Sequence, residues 1–277
     1  MTWPIAEKFA RLAPVLACVL TLGAAAPVVA EDFDSVLTAR LITGWRQADG
    51  QHMAAVQLDL APGWHTYWRA PGDAGVPTLI DTRASTNLAG HAIVWPRPKV
   101  ILQNGYRSIG YEGRVVLPLL IKPHQSGRDI GFTAQIDLGV CKDICIPQTL
   151  NVAATLPAQG GARDARIASA LADQPYSARE AGAQNVTCSI EPTQDGIALT
   201  ARITMPRIQG KEAVVIETGD PLHWVSTPKS ARSGQSLTAT AEVQHVEGAP
   251  LVIKREAVTI SVIGSGAAVE IKGCAGG

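Results

Sequence analysis

The chain has 277 residues, with 24 basic and 24 acidic side chains, a formal net charge of zero, and 46% hydrophobic residues. Balanced charge without a basic run excludes nucleic acid and an acidic membrane surface as expected partners. There is no low-complexity segment, and the length suffices for one large domain or two of moderate size.

Residues 1–30 read as an export signal: Lys8 and Arg11 form the positive start, Leu12 to Val29 is nearly all apolar, and Val28-Val29-Ala30 is a small-residue cleavage site. The competing reading is a retained anchor, because the apolar stretch approaches spanning length. Cys18 leaves with the signal. Cys141, Cys145, Cys188 and Cys274 then remain, and an even number in an exported chain points to disulfides. Spacing favours the pairings 141–145 and 188–274. No other stretch is apolar enough to span a membrane, so the mature chain is expected to be soluble in the periplasm. Neither a cofactor nor a metal site is expected.

Residues 31–158 read as an all-β domain. Strands are expected at Val36–Trp45, around Val56, Leu58 and Leu60, at Ile93–Trp95 and at Val115–Ile121, separated by Gly, Pro and Asn turns. Many short strands with such turns predict a β-sandwich. Gly63 to Thr78 holds Trp64, Tyr67 and Trp68 before a Pro/Gly loop. Trp64 is expected in the core, and Tyr67 or Trp68 is a candidate lid over a cysteine pair. His65 is expected at the surface or hydrogen-bonded, not as a catalytic base. Tyr106 and Tyr111, in a Gly-rich turn, are expected to support a loop.

From Ile130 to Val140, and again from Ile146 to Leu156, apolar residues alternate at period two, the strand signature. Lys142-Asp143-Ile144 is then a hairpin turn between Cys141 and Cys145, and Pro147 suits an edge strand or a strand start. Two cysteines so placed meet the Cα separation of roughly 4.4–6.8 Å that a disulfide needs. Closing so short a loop contributes only about 2 kcal/mol in the chain-entropy model, a weak staple. Small bridges at exposed turns suit thiol–disulfide exchange. The alternatives are a purely structural bridge and a soft-metal site for Cu(I), which two thiolates leave incomplete.

Residues 159–182 read as a linker, with helical spacing of Ile167, Ala170 and Leu171 between Arg163 and Asp173 and a stop at Pro175. Residues 183–277 alternate again and predict a second sandwich. A Cys188–Cys274 bridge closes a long loop and contributes about 4–5 kcal/mol in the same entropy model, so it is assigned a structural task. His223, Trp224 and His245 stand isolated in sequence and are expected to be structural or on the surface.

Several of these pieces together resemble a known family: Gly63 to Trp68 with Pro71 to Thr78, Gly110-Tyr111-Glu112-Gly113 leading to Val116-Leu117-Pro118, and Cys141, Cys145 and Pro147. They are similar to the periplasmic amino-terminal domain of the thiol:disulfide interchange protein DsbD, in particular to ScsB-type members linked to copper tolerance. The resemblance implies immunoglobulin-like sandwiches, Cys141 and Cys145 as the exchanging pair, and a cap in the Tyr67-Trp68 region, with Tyr111 capping or supporting. It also implies a membrane-embedded DsbD- or CcdA-like electron donor, and periplasmic thioredoxin-like or disulfide-isomerase-like proteins as partners. The cysteine spacing is closer than in the DsbD domain itself. The chain ends where that family's membrane helices would begin, so a separate membrane protein is expected to supply electrons.

Overall fold

The computed structural model describes residues 36–72, 75–103 and 105–277. The expected export signal, residues 1–30 with Cys18, lies outside the described residues. Among the described residues no helix is long and apolar enough to cross a membrane.

The first half comprises β1 (Leu37–Arg46), β2 (His52–Leu60), β3 (His65–Gly72), β4 (Leu79–Asp81), β5 (Leu88–Ile93), β6 (Lys99–Gln103), β7 (Tyr106–Glu112), β8 (Arg114–Pro123), β9 (Ile130–Cys141) and β10 (Cys145–Leu156). One sheet has the order β1-β2-β8-β5 and the other β10-β9-β3-β7-β6, with β4 paired to β9. Period-two alternation sets the packing. Val115, Leu117, Leu119 and Ile121 on β8, and Ile130, Phe132, Ala134, Ile136, Leu138 and Val140 on β9, are all buried.

Two expectations are corrected here. The strand expected at Ile93–Trp95 runs from Leu88 to Ile93, so Trp95 falls outside it. Its Leu-Ala-Gly-His-Ala-Ile sequence is poor in strand formers, and pairing with β8 imposes the strand. The Gly-rich stretch carrying Tyr106 and Tyr111 is a strand, β7, paired antiparallel with β6. In β2 the expected alternation of Val56, Leu58 and Leu60 is present, and Met53, Ala55 and Gln57 on the opposite face are buried as well.

The cover on that second face is α1 (Ala165–Ala172). Asp164 caps it by accepting a hydrogen bond from the Arg166 amide, and Asp173 closes its other end. The segment expected to be a linker is therefore docked. Ile167, fully buried, packs with Ile42, Met53 and Ala55. Arg166 also donates to the Gln57 side chain at 3.2 Å.

The second half comprises β11 (Tyr176–Ser177), β12 (Gln184–Pro192), β13 (Ile197–Thr204), β14 (Ala213–Glu217), β15 (His223–Val225), β16 (Lys229–Ser233), β17 (Ser236–His245), β18 (Thr259–Ile263), β19 (Ala268–Lys272) and β20 (Ala275–Gly276). Its sheets are ordered β11-β19-β18-β14 and β15-β17-β13-β12-β20, with β16 on β17. The molecule is thus all-β, two immunoglobulin-like sandwiches with one short helix between them in sequence. Cys188 lies at the centre of the second core among Leu199, Ala201 and Val258. It is bridged to Cys274 with the Cα atoms 5.7 Å apart. His223 and His245, isolated in sequence, are cross-strand partners with ring centroids 5.9 Å apart.

Charge joins the two sandwiches. Arg69 on β3 makes two parallel bonds of 2.9 Å to Glu217 on β14 and a third of 2.6 Å to Glu270 on β19. Such a bidentate guanidinium–carboxylate contact fixes orientation as well as distance.

Because Ile167 fills a site closed on all sides, Ile167→Ala is expected to cost about 2–5 kcal/mol, read as a lower urea midpoint at unchanged slope. Leu171→Ala, at the half-buried edge of the same cluster, is expected to cost less.

Candidate active site

The site begins with the register of the β9–β10 hairpin. Cys145 pairs directly with Cys141, followed by Ile146 with Val140 and Pro147 with Gly139. Cross-strand partners project from the same face, and here the two sulfurs are bonded, with the Cα atoms 4.1 Å apart. The turn closes through a 3.0 Å bond from the Lys142 amide to the Ile144 carbonyl. β10 is an edge strand, where Pro147 removes no bond that the sheet needs.

The pair sits on the outer face of its sheet. Leu138 and Val140 point into the core, so Gly139 and Cys141 point the other way. β3 lies on the far side of β9, with His65 opposite Cys141 and Thr66 opposite Val140. His65 and Tyr67 therefore share the face of the cysteines. The Tyr67 hydroxyl donates to Cys141 Sγ at 2.7 Å and lies 3.5 Å from Cys145 Sγ. The His65 ring meets the Tyr67 ring edge-on, with centroids 5.3 Å apart. Of the two positions expected for His65, at the surface or hydrogen-bonded, the first is corrected, since His65 is only 4% exposed.

Two glycines let the Tyr67 ring lie flat. A Cβ on Gly139 would stand 3.1 Å from the ring and from Val76. A Cβ on Gly75 would stand 2.6 Å from the ring, closer than real Cβ contacts allow. The Pro/Gly loop after β3 therefore lies directly over the tyrosine.

The other two aromatic candidates occupy different places. Trp68 is fully buried, with the Arg69 guanidinium 4.0 Å from its ring centre. Tyr111 pairs with Thr66 and so faces away from Tyr67. Its hydroxyl donates to the Pro96 carbonyl at 2.8 Å. Trp64 is a core residue, 5% exposed.

The two cysteines are unequal. Cys141 is 2% exposed, whereas Cys145 is exposed. Burial pushes the Tyr67 phenol above its ordinary pKa, with Ser108 alongside opposing the shift, so the phenol remains a proton donor at neutral pH. Among the described residues no group of three or more His, Cys, Asp or Glu side chains is arranged to hold a metal ion. Sequence reasoning assigned no site role to His65, Gly75 or Gly139. The two-residue spacing of His65 and Tyr67 was the available signal that they share a face.

These features define a class: an immunoglobulin-like sandwich with a disulfide on its outer face, one cysteine exposed and the other buried under a tyrosine. Residues 38–157 match the family described as thiol:disulfide interchange protein DsbD, N-terminal. The crystal structure of the N-terminal periplasmic domain of ScsB from Proteus mirabilis is similar, with a TM-score of 0.61 at 20% identity. The match covers 87% of this chain and 92% of that one, a likeness of fold. No curated protein matches the chain.

Burial lowers the ring pKa of His65, with Glu112 opposing, and burial likewise lowers those of His52 and His91. With folded values below the unfolded one, the unfolded chain binds more protons as pH falls through the histidine range. Stability is then lost on acidification. The oxidised protein is expected to melt progressively lower from about pH 7 to pH 5, with a shallower slope in His65→Gln; an identical slope in the variant would remove His65 from the effect.

Proposed function

We propose that this chain is a periplasmic thiol–disulfide interchange protein that hands electrons to protein disulfides through Cys141 and Cys145. The observation that carries this reading is the unequal exposure of the two cysteines. Reduced, Cys145 is the exposed nucleophile. Its thiolate attacks a partner's disulfide, forms a Cys145–partner mixed disulfide and releases one partner thiolate. Cys141 then attacks Cys145 Sγ, closes the internal bridge and releases the second partner thiolate. Two electrons leave the pair, and two protons complete the partner's thiols.

The Tyr67 hydroxyl serves the buried member. A hydrogen bond to a thiolate is worth more than one to a neutral disulfide sulfur, so Tyr67 favours the reduced state of Cys141 and helps it to leave when a donor dithiol attacks Cys145. The match of residues 38–157 to the DsbD amino-terminal family supports a membrane-embedded donor and thioredoxin-like or isomerase-like periplasmic acceptors. The apolar leader and the similarity to a periplasmic domain support export. The domain division 31–158, 159–182 and 183–277 is part of the same proposal, with the Cys188–Cys274 bridge as the staple of the second sandwich.

The first test is the reduction potential of the pair by glutathione titration with thiol trapping. A value between about −120 and −270 mV is expected, and one below about −300 mV would make the bridge a staple. Stoichiometric Cu(I) uptake without exchange would replace this reading with metal carriage. Cys141→Ser is expected to trap the mixed disulfide on Cys145, while Cys145→Ser forms none. Tyr67→Phe is expected to make the potential more negative by roughly 20–30 mV, from about 1–1.5 kcal/mol of differential hydrogen bonding.

A further inference from the structure

A cleft of about 660 Å³ lies between the sandwiches. Pro71, Gly75 and Pro77 form part of its first wall, and Ile216, Trp224 and Val225 part of the second. The first wall is the loop that lies on Tyr67, so one short segment faces the cleft on one side and the tyrosine at Cys141 on the other.

The second wall is made of strand edges. β14 and β15 each end a sheet of the second sandwich. In the β15–β17 ladder the Val246 amide bonds to the Leu222 carbonyl, and the Ser226 amide to the Glu242 carbonyl, each at 2.9 Å. Residues bonded to the partner strand alternate with residues turned away from it. The intervening pair Val225↔Val243 therefore turns the Val225 N–H and C=O outward from the sheet. Such an outward row is a template for one more strand. Beside it stand exposed Leu222, Trp224 and Val246, at 39%, 51% and 61%.

We propose that this cleft binds an extended polypeptide segment that adds to the β15 edge and rests on Trp224. The class of ligand follows from the wall: outward-facing amide and carbonyl groups with an exposed indole select an extended backbone with an apolar side chain. That the segment belongs to the redox partner rests on the exchange function proposed above. On that reading the second sandwich holds the partner chain while its disulfide reaches Cys145. Occupancy would also press on the Gly75 loop, which touches Tyr67.

The test uses the whole oxidised protein with a photo-crosslinking residue at position 222 and, as probe, reduced carboxymethylated α-lactalbumin, an unfolded chain with no free thiol. Saturable crosslinking is expected. Trp224→Ala is expected to weaken it about tenfold or more, as for a central aromatic anchor. Val225→Pro is expected to abolish it with the fold retained, read as an unchanged far-ultraviolet circular dichroism spectrum, because that amide serves no bond within the sheet and proline tolerates such an edge position. Both variants should react with a small aromatic disulfide at the wild-type rate and reduce scrambled ribonuclease at least about tenfold more slowly. Wild-type protein that fails to bind the probe, or variants that bind it equally well, would overturn the proposal. Failure of the wild type to react with the small disulfide, with probe binding intact, would instead sink the exchange function and leave the cleft standing.

Discussion

The register of one hairpin governs the site. Because Cys145 pairs with Cys141 at the last rung of β9–β10, both cysteines leave the sheet on the side away from Leu138 and Val140. A slip of one residue would reverse every side chain. It would drive the sulfurs into the core and bring Ile136, Leu138 and Val140 to the surface. The apolar alternation of β9 thus holds the disulfide on the outer face with the full burial energy of that strand. The short bridge contributes little stability itself and is carried by a ladder of twelve paired residues on each side.

β3 adds the second constraint. Over five residues it places His65 beside Cys141, brings the Tyr67 hydroxyl to the sulfur, buries Trp68 and sends Arg69 to Glu217 and Glu270. The strand that touches the redox pair is therefore also the strand that grips the second sandwich. A guanidinium held by two carboxylates is costly to break once partly buried, so the cleft walls have a defined spacing. The glycines at 75 and 139 matter for the same economy of space, since a ring can lie between loop and sheet only where no Cβ intervenes.

Much of the fold was legible along the chain. Alternation in β9, β10, β13, β17 and β18 marked strands, and the spacing of Ile167, Ala170 and Leu171 marked the helix between Arg163 and Asp173. The less legible parts share a cause. β5 is a strand because β8 is beside it, and its own residues carry little strand preference. The double burial of β2 depends on a helix more than a hundred residues later. His65 looked like a surface histidine because its cover, the neighbouring strand and the Tyr67 ring, is not visible in local spacing.

By itself the sequence determined that the chain is all-β, that Cys141 and Cys145 flank a hairpin turn, and that aromatics gather upstream of a Pro/Gly loop. These are local properties, written in period-two alternation and in the geometry of tight turns. Only the tertiary structure decided which sulfur is buried, which aromatic touches it, where Arg69 finds its carboxylates and which strand edges stay open. Each of these depends on contacts between segments tens to hundreds of residues apart, and burial and hydrogen-bond geometry exist only once those segments have met.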